Sequence, residues 1–341
     1  MPACRSGTRP RPAASDRPRA VPAPVVLVTR RLPEGGLDPL VDAGVAVEGG
    51  AEELPWDRDV LAGAVAAVDG LVCLLDDPVD GVVLRHGAAG KLRVVANVAV
   101  GYDNIDVAAA ADLGVVVCNT PGVLDDATAD VAFLLILAAS RRASDAEAEL
   151  RRGDFTGWGL NKYLGRDVSD AVLGLVGYGR IGRAVAARAA GFGMTVLHHR
   201  PTPTGEPGYV ATLDELLEQS DIVSLHVPLT DGTRHLIGQA ELARMGPTAV
   251  LVNTSRGPVV DEGALAEALH AGTIFAAGLD VYEHEPSLHP RLLDAPHCVL
   301  LPHIGSATVA TRRAMARLAC TQVRDVLQGR APAHPVTPPP R

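Results

Sequence analysis

The chain has 341 residues, 47 % of them apolar and 21 % charged, which allows about two domains of ordinary size and a sizeable core. Its longest stretch without Asp, Glu, Lys or Arg is 295–311. That stretch holds His297, Pro302, His303 and Gly305 and is shorter than the roughly 20 apolar residues of a membrane span. Lys and Arg number 31 against 40 Asp and Glu, a net charge of −9. The first 24 residues carry five Arg and one Asp, so the rest sits near −13. A body this acidic repels phosphate backbones, which argues against nucleic acid as the main partner. Five scattered cysteines (Cys4, Cys73, Cys118, Cys298, Cys320) form no Cys-x-x-Cys pair and no metal-ligand spacing. They read as reduced thiols of a cytoplasmic protein.

The segment 1–24 has six Pro and no apolar run long enough for a signal-peptide core, and it is expected to be disordered. Its Arg-rich, acid-poor makeup would suit a transit peptide, but the prolines oppose an amphipathic helix. Short apolar runs follow at Val25–Thr29, Gly70–Leu75, Arg93–Val98 and Val115–Cys118. Continuous β-branched runs mark strands buried on both faces, the pattern of a parallel sheet. Thr128–Arg142 reads as a long helix, with acids near its start and arginines at its end. The stretch from Asp145 to Asp170 around Trp158 has no clean period and reads as an excursion, a candidate oligomer contact.

A second series of runs comprises Val172–Val176, Thr195–Leu197, Ile222–His226, Ala249–Asn253, Ala276–Leu279 and Val299–Leu301. Helical patterns such as Ile181–Ala190 and Glu262–His270 separate them. Strands alternating with helices predict an α/β chain of two doubly wound parallel-sheet lobes. The tail 331–341 is Pro-rich and expected to be irregular.

Gly177-Tyr178-Gly179-Arg180-Ile181-Gly182 lies directly between the run Val172–Val176 and a helix. There the first glycine permits a tight turn, the second lets backbone approach a pyrophosphate, and the third lets helix pack on strand. The helix N-terminus, with Arg180 and Ile181, then faces the phosphates of a dinucleotide. The same fingerprint places an acid at the end of the second strand to bond the ribose 2′-hydroxyl of NAD(H). Here Arg200 stands 18 residues after Gly182, preceded by His199, and no acid occurs before Glu206. A guanidinium pairs with a 2′-phosphate that a carboxylate would repel, so NADP(H) is expected over NAD(H), with His199 as second support. The remaining alternative is a surface Arg at a strand end.

Four further segments are Asn97–Asp106 (NVAVGYDNID), Asn253–Asp261 (NTSRGPVVD), Gly278–Pro286 (GLDVYEHEP) and Leu301–Ser306 (LPHIGS). In this order they resemble the D-isomer-specific 2-hydroxyacid dehydrogenases, over about residues 25–330, with the glyoxylate/hydroxypyruvate reductase branch nearest in style. The resemblance implies a cofactor lobe, 121–304, of Rossmann type, inserted into a flavodoxin-like substrate lobe made of 25–120 and 305–330. The helix Val309–Leu327 would close the first lobe. It assigns Arg256, Glu285 and His303 as the catalytic set: His303 as proton donor, Glu285 as its carboxylate, Arg256 for the substrate. Ala99, Val100 and Gly101 would cradle the substrate carboxylate. Val227, Pro228, Thr254, Asp280 and Gly305 would join the glycine turn at the cofactor.

The implied reaction is reduction of a small 2-oxo acid to the D-2-hydroxy acid by a homodimer. An NAD-linked lactate- or phosphoglycerate-type dehydrogenase and a dinucleotide-sensing, corepressor-like scaffold are the alternatives. Glu285 stands where formate-specific relatives have Gln, which counts against formate. Glu283-His284-Glu285 lies in an extended run that points neighbours to opposite faces, so no metal is expected. Ser169-Asp170-Ala171 departs from the Gly-Lys pair common in the family before the phosphate-loop strand.

Overall fold

The structure, a computed structural model, describes residues 23–203 and 205–338. In its first half, strands β1 (Val25–Val28), β2 (Ala46–Gly49), β3 (Gly70–Cys73), β4 (Val94–Asn97) and β5 (Val116–Cys118) alternate with helices. These are α1 (Asp38–Val41), α2 (Arg58–Val65), α3 (Gly81–Ala89) and α4 (Val107–Asp112). Next come α5 (Asp125–Ser140) and α6 (Ala143–Arg152). A second strand series follows: β6 (Val172–Val176), β7 (Thr195–His199), β8 (Ile222–Leu225), β9 (Val250–Asn253), β10 (Ala276–Leu279) and β11 (Cys298–Leu300). Between them lie α7 (Arg180–Ala189), α8 (Leu213–Gln219), α9 (Gln239–Met245) and α10 (Glu262–Ala271). The chain returns through α11 (Val309–Leu327) and finishes with β12 (Pro335–Val336).

The first sheet has the order β12-β5-β4-β3-β1-β2 and the second β11-β10-β9-β8-β6-β7. All pairings are parallel except β12 with β5. β3, β4, β8, β9 and β10 are buried along their whole length, which is why they read as unbroken apolar runs. In the second sheet β6 is flanked by β7 and β8, so the strand order reverses beside the glycine turn, where open α/β sheets bind ligands. The two connecting helices cover opposite sheets. α5 packs on β9, β10 and β11 through Leu135 and Ile136, both fully buried, and α11 packs on β3, β4 and β5.

The sequence reading misses three elements, and each has a local cause. β2 is an exposed edge strand and needs no apolar run. α6 buries no residue and its only large apolar side chain is the exposed Leu150, so it reads as polar chain rather than as a core helix. The tail 331–341 is corrected: it is not irregular throughout, because Pro335 and Val336 pair antiparallel with Cys118 and Val117. The His334 N–H also donates to Gln322 Oε1 at 2.7 Å, and proline is tolerated on such an edge. α5 starts at Asp125, earlier than predicted, and ends before Arg141. The expectation of disorder for 1–24 falls almost wholly outside the described residues. Among these, no helix is long and apolar enough to cross a membrane.

Candidate active site

Directly after β6, Gly177 adopts φ +93°, and a Cβ there would lie 2.5 Å from the His226 carbonyl oxygen, so only glycine makes this turn. Gly182 packs α7 against the turn just below it. In front of Gly179 the space is open, and the N–H groups of Gly179, Arg180 and Ile181 have no acceptor among the described residues. Three orphan donors at a helix N-terminus, facing open space, fit a pyrophosphate. Behind the turn the Tyr178 ring stacks on His198 at 3.8 Å, and Arg183 lies over its other side. Burial lowers the His198 pKa, leaving that ring a neutral aromatic wall.

A cleft of about 870 Å³ opens between the two sheets, within the range of small-molecule sites. Ala99, Val100 and Gly101 line it from the first lobe, and Gly179, Arg180 and Ile181 from the turn. Val227 and Pro228 after β8, Thr254 and Arg256 after β9, and Asp280 after β10 line it from the second lobe. His303 and Gly305 complete it after β11. Thr254 Oγ1 is buried without a partner among the described residues. His226, also on the wall, is pressed by burial down to about 4, and its Nε2 meets Ser224 Oγ at 2.9 Å. His199 and Arg200 are not in this cleft. They lie at the end of β7, with His199 Nδ1 3.1 Å from the Val210 carbonyl oxygen, so one of its ring nitrogens serves its own backbone.

His303 Nδ1 lies 2.8 Å from Glu285 Oε2, which leaves Nε2 for the cleft. The backbone of His303 is left-handed (φ 53°). Glu285 Oε1 accepts the Tyr282 N–H at 3.0 Å. Burial alone would push the Glu285 carboxyl up. The hydrogen bond and charge of His303, the Tyr282 N–H and the nearby Arg256 outweigh it and hold the group below the usual range. Glu262, buried at the start of α10, accepts the N–H groups of Glu283 (2.6 Å) and His289 (3.2 Å) and so fastens the loop that carries Glu285.

On the opposite wall, the carbonyls of Ala99, Val100 and Gly101 are all taken, by Thr120 N–H (2.8 Å), Asn119 Nδ2 (2.7 Å) and Asn97 Nδ2 (2.8 Å). The N–H groups of Val100 and Gly101 have no acceptor among the described residues, which suits them to a carboxylate. Sequence reasoning overlooked Asn119, Glu262 and Asp103, whose partners lie far away along the chain. Only Asp103 lies in a motif, Asn97–Asp106; Asn119 and Glu262 fall outside every motif and carry no signal.

The family model "D-isomer specific 2-hydroxyacid dehydrogenase, NAD binding domain" matches residues 133–305. A glyoxylate reductase of Thermococcus litoralis is 44 % identical over 318 residues, covering 91 % of this chain and 95 % of its own. The chain belongs to the D-isomer specific 2-hydroxyacid dehydrogenases. A Thermus thermophilus protein of known structure superposes with a TM-score of 0.86 at 43 % identity, over 92 % of this chain and 100 % of its own. An NADPH-dependent glyoxylate/hydroxypyruvate reductase from Sinorhizobium meliloti, solved with NADP and malonate, gives 0.82 at 34 % identity, over 92 % and 97 %.

As a member of this family the protein is an oxidoreductase with a nicotinamide dinucleotide cofactor and a small-molecule substrate. The His303–Glu285 contact carries a prediction. His303 and Arg256 hold the Glu285 carboxyl below its usual range, so the contact with the ring is one to a charged group. Glu285→Gln keeps a hydrogen-bond acceptor and removes the charge. The kcat/KM of oxo-acid reduction should then fall about tenfold or more. Steady-state rates of both proteins check this, and an unchanged kcat/KM would refute it.

Proposed function

We propose that this dehydrogenase is an NADPH-linked reductase of glyoxylate and hydroxypyruvate. The observation that carries the reading is the His303–Glu285 pair facing, with Arg256, a wall of unpartnered N–H groups. When bound, the reduced nicotinamide supplies hydride to the keto carbon. His303 offers a proton at Nε2 to the keto oxygen, because a protonated imidazole donates from both ring nitrogens and Nδ1 is already turned to Glu285. Glu285 orients the ring through Nδ1–H. Arg256, permanently charged and rigidly forked, holds the substrate carboxylate and meets the charge that grows on the keto oxygen. The Val100 and Gly101 N–H groups take the carboxylate from the other side. Support for glyoxylate comes from the relatives that carry that name.

Arg200, next after His199, has no acid within reach along the chain before Glu206, and that carboxylate is engaged by Arg183. Arg200 also attracts the charge of Glu206, and a 2′-phosphate would compete with that carboxylate for it, with the free side of His199 beside it. We assign 25–120 with 305–330 to the substrate, 121–304 to the cofactor. The homodimer contact is assigned to α5, α6 and the excursion after them, where Trp158 is 83 % and Leu160 75 % exposed. Cytoplasmic residence fits the free thiols, of which Cys118 and Cys320 are pushed up to about 12 by burial.

Nicotinamide absorbance with a panel of 2-oxo acids tests the reading. Glyoxylate and hydroxypyruvate should turn over faster with NADPH than with NADH. His303→Ala should lose about 10²–10⁴-fold in rate while still binding cofactor. No turnover of any 2-oxo acid with either cofactor would overturn it. Arg200→Asp should reverse the cofactor preference in the same assay, and an unchanged preference would place selectivity elsewhere. Trp158→Glu should shift the sedimentation coefficient from dimer to monomer; a monomeric unsubstituted chain would remove the dimer.

A further inference from the structure

Arg256 and Asp103 are 153 positions apart and belong to opposite lobes, yet Arg256 Nε donates to Asp103 Oδ1 at 2.9 Å. A second N–H, on Nη1, goes to the Ser255 carbonyl oxygen at 2.8 Å. Two of the five guanidinium N–H groups are thus fixed, and those of Nη2 have no acceptor among the described residues. Nη2 lies against the backbone of Gly101: a Cβ at that position would overlap it, so the fork reaches the substrate cradle only because residue 101 has no side chain.

Asp103 is itself held by a stapled loop. Asn97 Nδ2 donates to the Gly101 carbonyl (2.8 Å) and to Asn104 Oδ1 (3.0 Å), while Asn104 Nδ2 donates to the carbonyls of Leu74 (2.9 Å) and Asp77 (3.0 Å). The anchor of the guanidinium therefore belongs to the first lobe, whereas its backbone belongs to the second. The side chains of Arg256 and Asp103 are 20 % and 34 % exposed. A pair so wet contributes little to stability, and its value lies in fixing one rotamer of a long side chain.

From this geometry we propose that Asp103 is a positioning residue, which aims Arg256 at the substrate carboxylate when the two lobes stand together. The proposal rests on the reading above in which Arg256 holds the substrate.

The test is a double-mutant cycle on the full-length protein, with glyoxylate and NADPH. Asp103→Ala should lower kcat/KM about 10–100-fold, the size expected when a binding group is displaced by about 1 Å. Its NADPH affinity, read by nucleotide fluorescence, should stay within about twofold, which reports an intact fold. Asp103→Asn, which keeps an acceptor oxygen, should recover part of the loss. In an Arg256→Ala background, Asp103→Ala should cost less than about twofold more, because a residue acting only through Arg256 has nothing left to position. Losses that multiply, or an Asp103→Ala protein within twofold of the unsubstituted one, would overturn the proposal while leaving the function intact. An Arg256→Ala protein of full activity would overturn both.

Discussion

One carboxylate fixes the join between the two halves of the molecule. Asp280, at the end of β10, accepts the N–H groups of Ile304 and Gly305 at 2.7 Å each. These are the residues immediately after His303, where the chain turns from the second sheet towards α11 and the first. The clamp fixes the backbone just after the left-handed His303, whose ring lines the cleft. Asp280 is almost wholly buried, and burial pushes its carboxyl up. The Ile304 N–H, the His303 charge and the Gly305 N–H pull the other way. Charge-assisted hydrogen bonds of this kind offset much of the cost of burying a charge.

The rest of the site follows from the parallel sheets. Every strand of the second sheet runs the same way, so all their carboxyl ends emerge on one edge. β6 delivers the glycine turn, β8 delivers His226 and Val227, β9 delivers Arg256, β10 delivers Asp280 and Glu285, and β11 delivers His303. Groups spread over more than a hundred residues converge without any long loop having to fold back. The wall of unpartnered N–H groups at Val100 and Gly101 has a second source, the loop that follows Asn97 at the end of β4 in the first sheet.

What could be read along the chain and what could not divide by the range of the interaction. Gly177 and Gly182 are required by close backbone at the turn, and the apolar run before them with the helix after them makes their spacing legible. The strands buried on both faces are equally local, since both neighbours must be apolar. β2 and α6 bury little or nothing and leave no such trace. β12 pairs through backbone groups alone, which a Pro-rich tail does not advertise. Asp103, Glu262 and Asn119 act through contacts with residues distant in sequence, and an isolated Asp, Glu or Asn looks like any solvated one. His199 illustrates the reverse case. Its place at the strand end marks it as a candidate ligand, and the contact of one ring nitrogen with the Val210 carbonyl, 3.1 Å away, is invisible in the sequence.

The two carboxylates nearest His303 differ because their surroundings differ. Each is penalised by burial, and each feels the imidazole. Asp280 is the more buried, and its pKa stays raised in spite of two backbone donors, in part because the charge of Glu285 is close by. Glu285 gains the direct hydrogen bond from His303 and the nearby Arg256, and its pKa is lowered. Like charges this close push each other's titrations apart. The negative charge that faces the imidazole through a hydrogen bond is therefore the one held most firmly. Asp280 is left as the structural partner of the turn. The difference matches the geometry: Glu285 meets the ring nitrogen, whereas both oxygens of Asp280 are already committed to backbone N–H groups.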